Sequence, residues 1–512
     1  MRSAGVLLHP TALPGPGGCG SFGRAAHEWI RLLGRSGVGV WQLLPLAPPD
    51  GTGSPYSSPS GSALNPWLLD ADALVAEGFL TASDRDALPM APADGPLALA
   101  LMPQRAEALG EALARNWGQQ PQLHQRTFAL WCRRQRHWLV DHCRFLVIRR
   151  LQAGQPWWQW PRPLAQRHSR ALRQLDQQQA TPLLAEALVQ WQLQRQWEQL
   201  RALAHREQVR LVGDLPFYVA HDSADVWCHR SLFSVRPNGE LSQQSGVPPD
   251  YFSETGQLWG TPVYRWTRHW FTGFGWWLQR LRRQLGLFDL LRLDHFRALA
   301  AFWCVPGSAP TAEHGTWRPS PGWLLLALLW LRSGCRLPLI AEDLGVMTPA
   351  VELLRDGFRL PGMKILQFAF DGDRSNPYLP ANIRGRRWVV YTGTHDNATT
   401  LGWWQSLDGE SRARVEQAVG APITAPGWQL SELALASSAD LAVVPLQDLL
   451  ELGDGARFNT PGTAQGNWTW RLEQPLVACA GALKGFGEIA GRYGRGRSTG
   501  GLADGALGGK AN

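Results

Sequence analysis

The chain has 512 residues, 44% hydrophobic and 18% charged, a balance that excludes a disordered or collagen-like polymer. Its formal net charge is +8, yet only three of its 50 basic residues are lysines, Lys364, Lys484 and Lys510, and the arginines are spread along the chain. Nucleic-acid binders cluster their cations, so the charge argues against nucleic acid as a partner.

In chain order, the first apolar run is "VLLHP" (6–10), followed by the helical pattern "AAHEWIRLLGRSG" (25–37) and a second run, "GVWQLLPL" (39–46). These place strands 1 and 2 within residues 1–65. Residues 66–205 read as a mainly helical insertion. It contains a Pro/Ala-rich linker, "DALPMAPADGPLALALMPQ" (86–104), and a Gln-, Arg- and Trp-rich helical stretch from about 122 to 205, broken at "WWQWPRP" (157–163). The third strand, "VRLVGDLPFYV" (209–219), falls within 206–219, and a loop-rich insertion spans 220–275. After the helix "WWLQRLRRQLG" (276–286), strands 4–8 follow within 276–490. They are "LLRLDHF" (290–296), "PLIAEDL" (338–344), "MKILQFAF" (363–370), "WVVYTGTHD" (388–396) and "LAVVPLQDL" (441–449). The Gly-, Ser- and Arg-rich residues 491–512 read as a disordered tail. Near-continuous apolar runs mark parallel strands covered on both faces. Eight such strand–helix units predict an α/β fold, a (β/α)8 TIM barrel with insertions after strands 2 and 3. The structural alternative is a doubly wound sheet, weakened because no G-x-G-x-x-G follows the first strand.

The seven cysteines are odd in number and form no C-x-x-C pair. This speaks against a disulfide framework or a Cys-rich zinc site, and for a reducing compartment. No signal peptide precedes "VLLHP", and the longest apolar run, "WLLLALLWL" (323–331), is too short for a bilayer and reads as a buried helix. A cytoplasmic protein without membrane attachment is expected. The 27 tryptophans serve packing or offer flat apolar faces to sugar rings, bases or a partner.

Four acidic residues sit near the ends of predicted strands: Asp214, Asp294, Glu342 and Asp396. In a barrel, strand ends converge on one rim, where catalysis sits. Arg292 and Asp294 are two apart and share a strand face, so the cation favours the ionised carboxylate that a nucleophile requires. Glu342, on the next strand, becomes a general acid if desolvated among other carboxylates. Two carboxylates about 5–5.5 Å apart fit a retaining glycosidic mechanism. A strand-end salt bridge or helix cap is the bland reading of any one of them. His295, His395, Asp294 and Asp396 are also metal-ligand types, but no H-x-x-x-H spacing supports a metal.

"LLRLDHFRAL", "AEDLG" and "YTGTHDN", in that order, resemble the catalytic regions of the α-amylase superfamily. Longer motifs narrow the match: "LLHPTALPGPGG", "SPYSSPSGSALNPWLLD", "GDLPFYVAHDSADVW", "GVPPDYFSETGQLWG", "LPGMKILQFAFDGD" and "FNTPGTAQGNWTWRL". From about residue 3 to about 490 the chain resembles the 4-α-glucanotransferases of glycoside hydrolase family 77, the amylomaltases or disproportionating enzymes. The resemblance implies Asp294 as nucleophile, Glu342 as general acid/base and Asp396 as a third carboxylate on the distorted donor sugar. It places Arg292 and His395 beside that sugar, Asp214 and His295 in support, and Tyr56 against the donor ring. Tyr251 and Phe252, in a loop at 248–256, would cover the glucan. Gln257 and Trp259 would line the acceptor side, and Asn467 and Trp468 would lie near the rim after strand 8. Thr261, Arg265 and Ala398 depart from the family pattern. Maltooligosaccharides and α-1,4-glucans are the expected donors and acceptors, with no cofactor or metal implied and protein partners unknown. A hydrolase of the same superfamily and a catalytically silent glucan-binding protein are the rival readings.

Overall fold

The computed structural model describes residues 2–92, 95–249, 253–345, 347–463 and 465–496. Its strands are β1 Ser3–Leu7, β2 Val40–Gln42, β3 Arg210–Leu215, β4 Gln243–Val247, β5 Gln257–Pro262 and β6 Leu290–Leu293, then β7 Ala301–Pro306, β8 Thr316–Pro319, β9 Leu339–Ala341, β10 Gly362–Ile365, β11 Trp388–Tyr391 and β12 Leu441–Pro445. Eight of them form one parallel sheet in the order β10-β11-β12-β1-β2-β3-β6-β9, and each comes from one of the eight apolar runs. The sheet curls until its two ends meet: the Ala341 N–H donates to the Pro361 carbonyl at 2.8 Å. The (β/α)8 barrel expected from the sequence is the fold.

The apolar runs are nearly continuous because both strand faces are covered. One set of side chains, including Leu7, Val40, Val212, Ile340, Met363, Val389 and Val443, fills the barrel interior. The alternate set packs outward against helices. The helix Arg24–Arg35 buries Ala26, Trp29, Ile30 and Leu33 at helical spacing, and Trp29 meets Trp41 edge-on at 6.4 Å. Each such large apolar side chain contributes about 1.5–3 kcal/mol by leaving water. Inside the barrel the Tyr391 hydroxyl donates to Gln42 Oε1 at 2.9 Å, so its polar end is satisfied where no water reaches.

Between β2 and β3 the chain builds long helices at Met102–Asn116, Gln122–Leu151 and Ala180–Arg206. The buried glutamines of the last one act as substitute backbone. Gln190 exchanges two 2.8 Å hydrogen bonds with the main chain of Leu64, and Gln196 pairs likewise with Asp70 at 2.9 and 3.0 Å. The segment leaving β2 is thereby held without a strand partner. After β3, β4 and β5 combine with β7 and β8 in an antiparallel sheet of order β5-β4-β7-β8. This sheet stands beside the barrel rim.

Two local expectations change. The run at 323–331 forms the helix Gly322–Arg332, but it buries one face only: Leu325, Leu326 and Leu329 are covered, whereas Trp323 and Leu331 are 53% and 63% exposed. A surface helix has one side on the barrel whatever its composition. Residues 491–496, read as the start of a disordered tail, are among the described residues and include a packed side chain. After the helix Ala480–Arg492 the chain turns and reaches Arg495, whose buried guanidinium donates to the carbonyls of Leu435 at 2.7 Å and Ser437 at 2.9 Å. Residues 497–512 lie outside the described residues. Among the described residues no helix is long and apolar enough to cross a membrane.

Candidate active site

Asp214 lies in β3, Asp294 follows β6, Glu342 follows β9, and Asp396 lies on the loop leaving β11. All are at C-terminal ends of parallel strands, hence on one rim. Arg292 is the buried centre. Its Nη1 donates to both Asp214 oxygens, at 2.9 and 2.8 Å, and its Nη2 lies 2.9 Å from Asp294 Oδ1. A charge on an apolar strand is tolerated here because two carboxylates neutralise it. Burial works against the Arg292 cation, but Asp214 and Asp294 outweigh it and hold the guanidinium well above its ordinary range. The Tyr56 hydroxyl donates to the second Asp214 oxygen at 2.7 Å. Burial, then the charge of Asp214, keeps that phenol protonated. The Tyr56 ring stacks on His395 at 5.1 Å, and Trp468 closes the trio at 5.7 Å from Tyr56 and 5.9 Å from His395.

The backbone turns sharply after Asp294. His295 adopts φ 50° and ψ 47°, the left-handed region that a non-glycine residue rarely occupies and that clusters at functional sites. The turn directs the His295 N–H at Glu342 Oε2, 2.7 Å away. Strand neighbours secure the same corner: Asp294 N–H to the Leu215 carbonyl at 3.0 Å, Glu342 N–H to that of Leu293 at 3.2 Å, and Phe296 N–H to that of Glu342 at 3.2 Å. Burial pushes the Glu342 carboxyl up to about 8. The negative charges of Asp294 and Asp343 add to that rise, and Arg292 and the His295 N–H oppose it. Glu342 therefore carries a proton at neutral pH. Asp294 keeps 30% of its side chain exposed to the cleft. Burial, aided by Arg297, lowers the His295 imidazole to about 4 against the pull of Asp294, leaving it neutral. Its ring meets Trp259 edge-on at 4.8 Å.

Asp396 is held from two sides. His395 Nε2 is 3.3 Å from Asp396 Oδ2, and Asn459 Nδ2 donates to Oδ1 at 2.6 Å. The loop beneath is closed by Asp448, a buried carboxylate that accepts the Thr392 hydroxyl at 2.6 Å, the Thr400 hydroxyl at 2.7 Å and the Thr400 N–H at 2.8 Å. Sequence reasoning passed over Asn459 and Asp448. Asp448 stood in the run read as strand 8 and Asn459 in the motif that follows it, and the only signal was a polar residue in an otherwise apolar or loop stretch. Asn459→Ala is expected to leave Asp396 free to rotate and to lower kcat/KM for maltotriose about tenfold, the scale of one lost charge-assisted hydrogen bond. Unchanged steady-state kinetics in that variant would remove Asn459 from the site.

Gln257 and Trp259 stand exposed on β5, with the Trp259 indole N–H 3.4 Å from Gln257 Oε1. The Asn467 amide is spent on its own loop: Oδ1 accepts the Thr460 N–H at 2.9 Å and Nδ2 donates to the Thr463 carbonyl at 2.9 Å. That loop presents Trp468, at φ 64°, to Tyr56 and His395. Tyr251 and Phe252 lie outside the described residues. Of the departing positions, Thr261 shares a 2.5 Å hydroxyl contact with Ser245, and Arg265 donates to the Val235 carbonyl at 2.6 Å. Ala398 accepts through its carbonyl from Gln367 Nε2 at 3.0 Å. Among the described residues no three His, Cys, Asp or Glu side chains are grouped to hold a metal ion.

A parallel barrel whose rim holds a partly exposed carboxylate beside Arg, a protonated carboxylic acid on the next strand and a third carboxylate at the end of a further strand is the framework of barrel enzymes that act on glycosidic bonds. The family model described as 4-alpha-glucanotransferase, glycoside hydrolase family 77, matches residues 8–476. The 4-alpha-glucanotransferase of Synechocystis sp. is 44% identical over 501 residues, covering 96% of this chain and 98% of that protein. That of Thermus thermophilus is 43% identical over 486 residues, covering 92% and 95%. The amylomaltase of Streptococcus agalactiae, solved in complex with acarbose, superposes with a TM-score of 0.92 at 31% identity, covering 97% of this chain and 100% of that one. The chain belongs to the 4-alpha-glucanotransferases of glycoside hydrolase family 77.

Proposed function

We propose that the protein transfers α-1,4-glucan segments to the 4-hydroxyl of an acceptor glucan or glucose by retaining double displacement. Asp294 attacks the anomeric carbon of the donor while Glu342 gives its proton to the departing 4-oxygen. The result is a glucosyl ester on Asp294 and a shortened leaving glucan. The ionised Glu342 then takes the proton of the acceptor 4-hydroxyl as that oxygen attacks the anomeric carbon and releases Asp294. Asp396, oriented by His395 and Asn459, binds hydroxyls of the donor sugar. Arg292 and His395 flank it, Asp214 supports Arg292, and Tyr56 lies against the ring. His295 directs its N–H at Glu342, and Gln257 and Trp259 take the acceptor side. Asn467 shapes the rim, and Tyr251 and Phe252 cover the glucan. Two carboxylates and the covalent intermediate supply the chemistry without cofactor or metal.

The observation that carries this reading is the corner where Arg292 holds Asp294 and the very next N–H, that of His295, holds Glu342. The proposed substrates are maltooligosaccharides and longer α-1,4-glucans, and the proposed compartment is the cytoplasm. Hydrolysis would use the same intermediate with water as acceptor. Incubation with pure maltotriose separates the two. A ladder of longer oligosaccharides with little new reducing end is expected, and rising reducing ends without longer products would reject transfer.

A further inference from the structure

We propose that Asp343 is a positioning residue for Glu342: its carboxylate bridges the closing seam of the barrel and, with Arg355 and Gly362, sets where Glu342 sits and which charge it faces. This rests on the reading of Glu342 as general acid/base.

The eight-stranded sheet ends at β9 and β10, and the two edges are joined by few contacts. The Ala341 N–H donates to the Pro361 carbonyl at 2.8 Å. In an evenly spaced parallel ladder the Met363 N–H would next return to a main-chain carbonyl of β9. It donates instead to Asp343 Oδ1, at 2.7 Å. A side chain has taken the place of a strand at the position immediately after Glu342. The other oxygen, Oδ2, accepts Arg355 Nη1 at 2.5 Å. Arg355 is itself fixed by Asp356, 3.0 Å from its Nε, and by the face of Trp388, 4.6 Å away. Asp343 is 5% exposed, so both of its oxygens are committed to these partners.

Gly362 makes the bridge possible. A Cβ at that position would lie 2.5 Å from Asp343 Oδ2 and 2.8 Å from Oδ1, inside contact distance. A side chain has no room there, because the carboxylate and the Trp388 ring, 2.6 Å from the same point, occupy that space. The arrangement also sets charge. Glu342 faces Arg292 and Asp294 from the end of β6, Asp343 beside it and the Tyr378 phenol. Asp343 in turn faces Arg355, Lys364 and the Tyr378 phenol. Its negative charge is among the causes that keep Glu342 protonated.

Asp343→Asn keeps an acceptor for the Met363 N–H, removes the charge and turns an amide N–H toward Arg355. With maltotriose, kcat is expected to fall about ten- to a hundredfold with KM nearly unchanged, the scale of a small misplacement of a catalytic group. The alkaline limb of kcat/KM should move to lower pH by about half a unit to one unit, because one negative charge near Glu342 is gone. A maltosyl donor with fluoride as leaving group needs no proton from Glu342 and should recover most of the loss. Gly362→Ala, which keeps the charge and crowds both the carboxylate and the Trp388 ring, should lower kcat in the same direction. An alkaline limb that stays in place in Asp343→Asn, or wild-type kcat in both variants, overturns the proposal. Glu342→Gln run in parallel separates the two readings. If it turns over normally, the acid/base assignment falls. If it is inactive with maltotriose and rescued by the fluoride while Asp343→Asn behaves as wild type, only the inference about Asp343 falls.

Discussion

Asp294→Asn is expected to lower kcat for maltotriose at least about a thousandfold, the scale of removing a nucleophile whose partners act only through it. Glucan affinity should stay within about tenfold, because Arg292, Asp396, Tyr56 and Trp259 remain in place. The amide is nearly isosteric and can still accept from Arg292 Nη2, so the barrel should fold with an unchanged melting temperature. Asparagine has no carboxylate oxygen to form the glucosyl ester, and the first displacement stops. Steady-state rates and glucan binding by titration calorimetry on the same preparation measure the two halves. Normal turnover would move the nucleophile elsewhere on the rim. Loss of binding together with turnover would mean that Asp294 serves recognition and not bond formation.

Glu342→Gln carries the second large effect, about a hundred- to ten-thousandfold in kcat with a sugar leaving group, the range of general acid–base catalysis. The loss should shrink sharply with a fluoride leaving group, which departs without a proton. The native protein makes a matching statement about pH. Burial holds the Glu342 carboxyl up to about 8, so its acid form persists through neutrality. The first displacement requires that form, so kcat/KM for maltotriose should fall as pH rises through about 8. A pH–rate profile of the free enzyme reads that limb directly. A limb near the ordinary carboxylate range, or no fluoride rescue in Glu342→Gln, would remove Glu342 from the role of proton donor.

The barrel strands were legible because each is covered on both faces, and burial on both faces writes itself as a short continuous apolar run. The antiparallel sheet of β4, β5, β7 and β8 was not. Its strands, such as "QQSGV", "QLWGTP" and "TWRP", are short, polar or proline-bearing. They become strands only by pairing across as many as 63 residues, as Gln243 does with Pro306. The half-exposed helix at 322–332 shows the converse. Nine consecutive apolar residues promised full burial, but a helix on the outside of a barrel has one covered side. Asn459, Asp448 and Asp343 escaped notice because each acts through a hydrogen bond to a residue 20 or more positions away, which no local pattern announces.

By itself, the order of residues determined the eight strands, the acidic residues at their ends and the family to which the chain belongs, because hydrophobic period and motif are properties of neighbours along the chain. Only the tertiary structure decided which groups share a proton or a charge. It brought the His295 N–H to Glu342, two carboxylates to Arg292, and Asp343 across the seam, because desolvation and Coulomb interaction depend on distance in space and not on separation in sequence.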